Sequence, residues 1–199
     1  DINYDAPRFT RQLLAAVPAD ARLVVDPKYI FDFYRDGRDV RLAMDFAFFY
    51  SVRGIEYGFT SIMIDGSSLA LEENIALTGR VVEAARMADV SVEGEVGVVG
   101  YADGRPSAFT VPEEAARFAA ETRVDALAVS VGNIHLQTEK TDGISLTALR
   151  NIEAVTHVPL VLHGGSGIPP QMRRMLARQH RVRKFNIGTE LRQAFGTSL

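Results

Sequence analysis

Short, almost unbroken apolar runs that alternate with amphipathic stretches constrain this chain more than any other feature. The runs fall at residues 21–25, 40–46, 61–65, 91–96, 126–131, 159–163 and 182–187. Continuous rather than alternating apolarity is the pattern of parallel strands covered on both faces. Between the runs lie helical patterns. Asp5-Ala6-Pro7 opens one that reaches about residue 17, with Asp5 as N-cap and proline just inside. Residues 72–89 place Ile75, Val82 and Ala85 on one helical face. Thr110-Val111-Pro112-Glu113 has the form of a capping box ahead of 115–122, and 145–156 and 169–180 complete the series. Strands alternating with helices imply a parallel α/β fold, either barrel or open sheet.

The ends of the runs decide between the two. Asp45, Asp65, Glu95, Asn133 with His135, His163 and Asn186 stand at or just beyond the C-terminal ends of successive runs. A (β/α)8 TIM barrel carries its chemistry on that rim, whereas an open doubly wound sheet gathers it at one switch point. A barrel is therefore expected, as a single domain over residues 1–199 with no linker or repeat dividing it. Ile2-Asn3 is the expected tail of a first strand. The chain starts at Asp1 without a methionine, so a portion of a longer protein is expected, with N- and C-terminal parts of the barrel missing.

Composition narrows the function classes. A net charge of -3 gives no field to attract nucleic acid or an anionic membrane surface. No apolar run approaches the ~20 residues of a membrane-spanning helix. With no cysteine, disulfides and thiolate metal sites are out of reach, which fits a cytoplasmic protein.

Leu160-Val161-Leu162-His163-Gly164-Gly165-Ser166-Gly167 is the sharpest local signal. An apolar strand stops at a histidine and opens into glycines whose N–H groups can approach an anion, with Ser166 adding a hydroxyl and Pro169-Pro170 starting a helix. Asn186-Ile187-Gly188-Thr189 has the same parts one strand later. In barrels the loops after the seventh and eighth strands are a frequent phosphate site. The alternative for the first is a plain tight turn. His135 and His163, ending neighbouring strands, would make with Glu95 a three-ligand zinc site open to substrate. Each histidine alone reads equally well as a structural residue. Asp45, inside an apolar run, is either a general acid–base group or a helix-capping carboxylate. Asp65 could equally cap a turn. Phe46, Phe48, Phe49 and Tyr50 are expected in the core, and Arg173 to Lys184 on a solvated face. His157 reads as structural and His180 as a solvated helix terminus.

Several ordered motifs together carry a resemblance. They are Gly58-Phe-Thr-Ser-Ile-Met-Ile-Asp65-Gly-Ser, Glu72-Glu-Asn-Ile-Ala-Leu-Thr, Val92-Glu-Gly-Glu95-Val-Gly97, Gly132-Asn-Ile-His135, Leu162-His163-Gly-Gly-Ser-Gly167 and Asn186-Ile-Gly-Thr189-Glu-Leu. The chain resembles the class II, metal-dependent ketose-bisphosphate aldolases, closely from about residue 40 to 195 and loosely before that. The resemblance implies a (β/α)8 barrel of carbohydrate metabolism that reversibly cleaves a ketose (bis)phosphate to dihydroxyacetone phosphate and an aldehyde. It implies Zn2+ as cofactor, polarising the ketone, with His135, His163 and Glu95 as metal residues. Gly164, Gly165, Ser166, Gly188 and Thr189 would hold phosphate, Asn186 would face the enediolate, and Asp45 would be the acid–base residue. Homo-oligomers, dimers or tetramers, are expected.

The departures are specific. The family's third strand reads His-Leu-Asp-His-Gly, and here it reads Ala43-Met44-Asp45-Phe46-Ala47, so Phe46 stands where a metal histidine is usual. Phenylalanine offers no lone pair to a metal. Leu136 stands in place of a phosphate-binding glycine. Gly100-Tyr101-Ala102-Asp103-Gly104 lacks the glutamates of the mobile loop, and the serine usual after strand two is absent near Asp26-Pro27. Three readings follow: an aldolase of altered substrate preference, a non-catalytic homologue that binds phosphorylated sugar or serves a partner subunit, and a metal-free lyase with Asp45 as base.

Overall fold

The structure is a computed structural model that describes residues 24–25, 40–104, 107–141 and 143–196, with backbone alone for 24–25 and 40–46. In chain order the elements are β1 (Val24–Val25), α1 (Val40–Glu56), β2 (Ser61–Ile64), α2 (Leu71–Arg86), β3 (Ser91–Val96), β4 (Gly100–Tyr101), α3 (Pro112–Thr122), β5 (Ala126–Val129), β6 (Ile134–His135), α4 (Leu146–Val155), β7 (Leu160–Leu162), α5 (Pro170–Gln179), β8 (Val182–Phe185) and α6 (Thr189–Gly196). A 3-10 turn, Gly165–Gly167, follows β7. The expected helix near residues 5–17 and the strand tail at Ile2-Asn3 lie outside the described residues.

The main sheet is six-stranded and follows chain order, β1-β2-β3-β5-β7-β8. All of its pairings are parallel. This is the expected α/β class with barrel order, and the ladders of the described residues form an open arc of it. Buried Ile62, Ile64, Val92, Val96, Leu127, Val129, Leu160 and Leu162 pack with the helix faces into one core. Gly94 marks how close the layers approach: a Cβ there would stand 2.6 Å from the Phe118 ring of α3.

Three expectations need correction. Residues 40–46 begin a helix, not a strand. An apolar string of Leu, Ala, Met and Phe satisfies both patterns, and the run here continues as buried Ala47, Ser51 and Gly54, a spacing of four and three that only a helix presents on one face. The aromatic cluster on α1 divides: Phe48 packs on the core beneath the Arg80 guanidinium, 4.3 Å above its ring, while Phe49 and Tyr50 are exposed. Thr110 does not cap α3, whose N-cap is Val111 without a side-chain bond. The Thr110 hydroxyl instead donates to the Val96 carbonyl at 2.5 Å and accepts from the Ser130 amide at 2.8 Å. It thus joins the ends of β3 and β5. The N-cap of α4 is Ser145, whose Oγ accepts from the Ala148 amide at 3.2 Å.

The sequence gives no sign of the parallel ladder between β4 and β6, which pairs Gly100 with Ile134 and Tyr101 with His135. It lies beyond the C-terminal ends of β3 and β5, so the loops there are themselves ordered.

Candidate active site

The site is built where β3, β7 and β8 end. Successive strand residues alternate faces, so Glu93 and Glu95 on β3 point together to the side away from Gly94 and α3. His163 immediately follows β7 and is 1% exposed. Its ring lies between the two carboxylates: Nε2 is 3.0 Å from Glu93 Oε1, and Nδ1 is 3.3 Å from Glu95 Oε2. The second oxygen of Glu93 accepts from Lys184 Nζ of β8 at 2.6 Å. Burial alone would push the Glu93 carboxyl up, but its His163 and Lys184 contacts outweigh that and hold it below the usual carboxylate value.

His135 does not end a strand of the main sheet, as expected, but sits on β6 in the small ladder. From there its ring packs edge-on against His163, with centroids 5.7 Å apart, and lies 4.8 Å from the Tyr101 ring. Leu136, at the position of the usual glycine, keeps a glycine-like φ of 60° and is exposed. Asn133 supports the arrangement from below. Its Nδ2 donates to the His163 carbonyl at 3.1 Å while its Oδ1 accepts from the Val131 amide.

The two glycine turns meet. Gly164, with φ 65°, lets the chain pass the Ile134 carbonyl, which a Cβ would approach to 2.1 Å. The Gly165 amide donates to the Asn186 carbonyl at 2.9 Å, and the Asn186 amide to Leu162 at 3.0 Å. Ser166 Oγ accepts from the amides of Gly188 and Glu190 at 3.2 and 3.1 Å. With its acceptor sites taken, that hydroxyl has its proton to offer outward. Lys140 and Arg173 brace the turns from behind, donating to the Ser166 and Gly165 carbonyls and pairing with Glu190. Arg173 and then Lys140 hold the Glu190 carboxyl below its usual value. Thr189 opens α6, its Oγ1 accepting from Arg192.

Of the residues singled out from sequence, Glu95, His135, His163, Gly164, Gly165, Ser166, Asn186, Gly188 and Thr189 therefore come to one end of the sheet. Asp45 lies on α1, and its side chain, with that of Phe46, is outside the described residues. Asp65 closes a turn, its Oδ1 accepting from the Ser67 amide and hydroxyl at 3.0 and 2.6 Å. His157 Nδ1 lies 3.1 Å from the Arg181 guanidinium. His180 is less solvated than expected: its Nδ1 is 2.8 Å from Glu153 and its side chain only 10% exposed. Glu93 and Tyr101 were not anticipated, and Arg173 and Lys184, expected on a solvated face, instead reach in to pair with Glu190 and Glu93. Glu93 was within reach of sequence, because a carboxylate two residues from Glu95 on a strand must share its face.

Among the described residues, no three His, Asp or Glu side chains are grouped to hold a metal. The pair formed by His163 and Glu95 nevertheless suits one. In tetrahedral zinc sites with bonds of about 2.0–2.1 Å, neighbouring ligand atoms stand roughly 3.3–3.4 Å apart. Nδ1 and Oε2, at 3.3 Å, have that spacing. Since the Glu93 carboxylate accepts from Nε2, Nδ1 can turn a lone pair toward Glu95.

Known proteins share this chain's sequence and fold. A 6-phospho-5-dehydro-2-deoxy-D-gluconate aldolase of Shouchella clausii is 43% identical over 142 residues, 69% of this chain and 48% of that protein. A fructose-bisphosphate aldolase of Streptococcus pyogenes serotype M3 is 44% identical over 148 residues, 72% of this chain and 50% of that one. The chain thus spans about half the length of the curated relatives it matches. The crystal structure of the YdjI aldolase from Escherichia coli K12 superposes with a TM-score of 0.63 at 25% identity, over 98% of this chain and 76% of that one. The family model described as fructose-bisphosphate aldolase class-II matches residues 39–199, and the chain belongs to that family.

Proposed function

We propose that the chain carries out reversible aldol cleavage of a ketose (bis)phosphate, giving dihydroxyacetone phosphate and an aldehyde. The observation that carries this reading is the meeting of two glycine turns with a buried His163–Glu95 pair at one end of the sheet. The Ser166 hydroxyl, with those turn amides that do not serve the turns' own hydrogen bonds, would bind the phosphate, which fixes the substrate relative to His163. Asn186, tied through its backbone to both turns, would face the enediolate, and Asp45 would exchange a proton with the substrate hydroxyl. His163 and Glu95, joined by His135, would hold Zn2+. When bound, that ion supplies Lewis-acid polarisation of the substrate carbonyl. The working protein is a cytoplasmic homo-oligomer, a dimer or tetramer, in this reading.

Phe46 and Leu136 favour a second reading, a non-catalytic homologue that binds phosphorylated sugar. Hydrogen–deuterium exchange at the reactive carbon of dihydroxyacetone phosphate, followed by NMR in D2O with zinc added, separates the two without knowledge of the aldehyde. Exchange that is lost in Asn186→Ala is the expected result. Binding of dihydroxyacetone phosphate without any exchange would leave the second reading standing instead.

A further inference from the structure

Three strands far apart in sequence deliver a buried chain of contacts behind His163. Glu93 and His163 are separated by 70 residues and Glu93 and Lys184 by 91, yet the contacts are 3.0 and 2.6 Å. The Glu93 side chain is 4% exposed and that of His163 1%, whereas Lys184 is 37% exposed. A lone carboxylate at such a depth is costly, and the lysine, reaching in from the solvent edge, offsets that cost. The register of β8 makes the reach available. Leu160 pairs with Val182 but Val161 with Lys184, an irregularity that leaves Arg183 as an extra residue and presents Lys184 beside β7. An imidazole held only by packing could flip and exchange its two nitrogens. One whose Nε2 donates to an anchored carboxylate cannot do so without breaking that bond.

We propose that Glu93 is a positioning residue: anchored by Lys184, it grips Nε2 of His163 and so keeps Nδ1 turned toward Glu95. Its consequence for catalysis rests on the zinc-aldolase reading above, but the grip itself does not. It sets the nitrogen that faces the site and leaves Lys184 outside the chemistry.

The test uses the whole chain in wild-type, Glu93→Gln and Lys184→Met forms, with two readouts. A buried imidazole N–H that donates to a carboxylate gives a slowly exchanging downfield proton resonance, which is recorded by NMR on metal-free protein. Zinc affinity is measured by competition with a chromophoric chelator. The expected result is a His163 Nε2–H resonance in wild type that is lost or moved upfield in Glu93→Gln. Zinc binding should weaken by about 10- to 100-fold in that variant, the range for removing a partner behind a metal-bound histidine. Lys184→Met should broaden the resonance. A resonance unchanged in Glu93→Gln overturns the proposal, whatever the zinc affinity. If wild type itself binds no zinc, the metal reading fails while the NMR comparison still decides the role of Glu93. Should Glu93→Gln not fold, Lys184→Met decides it, because an unchanged resonance there removes the anchor.

Discussion

Gly164 concentrates several constraints in one residue. It follows His163 directly, has φ 65°, and leaves no room for a Cβ, which would lie 2.1 Å from the Ile134 carbonyl. Backbone, not a flexible side chain, is the obstacle, so Gly164→Ala must displace either the first glycine turn or β6. A cost of about 1–3 kcal/mol is expected from the strained conformation, more where the carbonyl cannot yield. Because Gly164 opens the first glycine turn, the same variant should weaken phosphate binding, read by isothermal titration with inorganic phosphate. Wild-type stability and wild-type binding together would show that the turn does not need this backbone. Leu136, at φ 60°, accepts similar strain in a side chain that is exposed, where only backbone energy opposes it.

At the scale of elements, Thr110 distinguishes two architectures. A capping residue would stabilise α3, but this hydroxyl joins β3 to β5 through Val96 and Ser130. Thr110→Val retains the shape and removes both bonds, leaving a buried amide and carbonyl without that partner. A loss of roughly 2–4 kcal/mol is expected from two such groups. Amide exchange should accelerate first at Ser130, with α3 retaining its protection. Acceleration confined to the first turn of α3 would restore the capping role. The same logic explains why residues 40–46 mislead. Their apolar string fits a strand until the burial of Ala47, Ser51 and Gly54 imposes a helical period.

Across the whole molecule, carboxylates tied to cations set the response to acid. Glu93 is held below the ordinary value of 4.5 despite burial that opposes it, and Glu153 likewise, against its own burial, by the Arg181 amide and His180. A carboxyl whose folded value is depressed contributes stability above the unfolded value and loses it as pH falls through the folded one. The stability gap between wild type and Glu93→Gln should therefore be full near pH 7 and narrow progressively as pH falls below the ordinary value of 4.5. Urea midpoints across that range measure it. A gap that stays constant down to pH 3 would mean that Glu93 is not ionised in the folded chain.

Sequence by itself determined the parallel α/β class, five of the main strands to within two residues at each end, the glycine turns and the family. Each of these depends on local periodicity, on glycine at a fixed offset from a strand, or on ordered motifs. It also placed Glu95 and His163 at strand ends, since a strand end is legible where apolarity stops. The tertiary structure decided what touches what. That His135 stands on a separate ladder, that Ser166 ties two turns together, and that Glu93 reaches His163 and Lys184 all depend on neighbours 22 to 91 residues away. Such contacts are fixed by strand register and the irregularity in β8, and neither leaves a periodic signature in the chain.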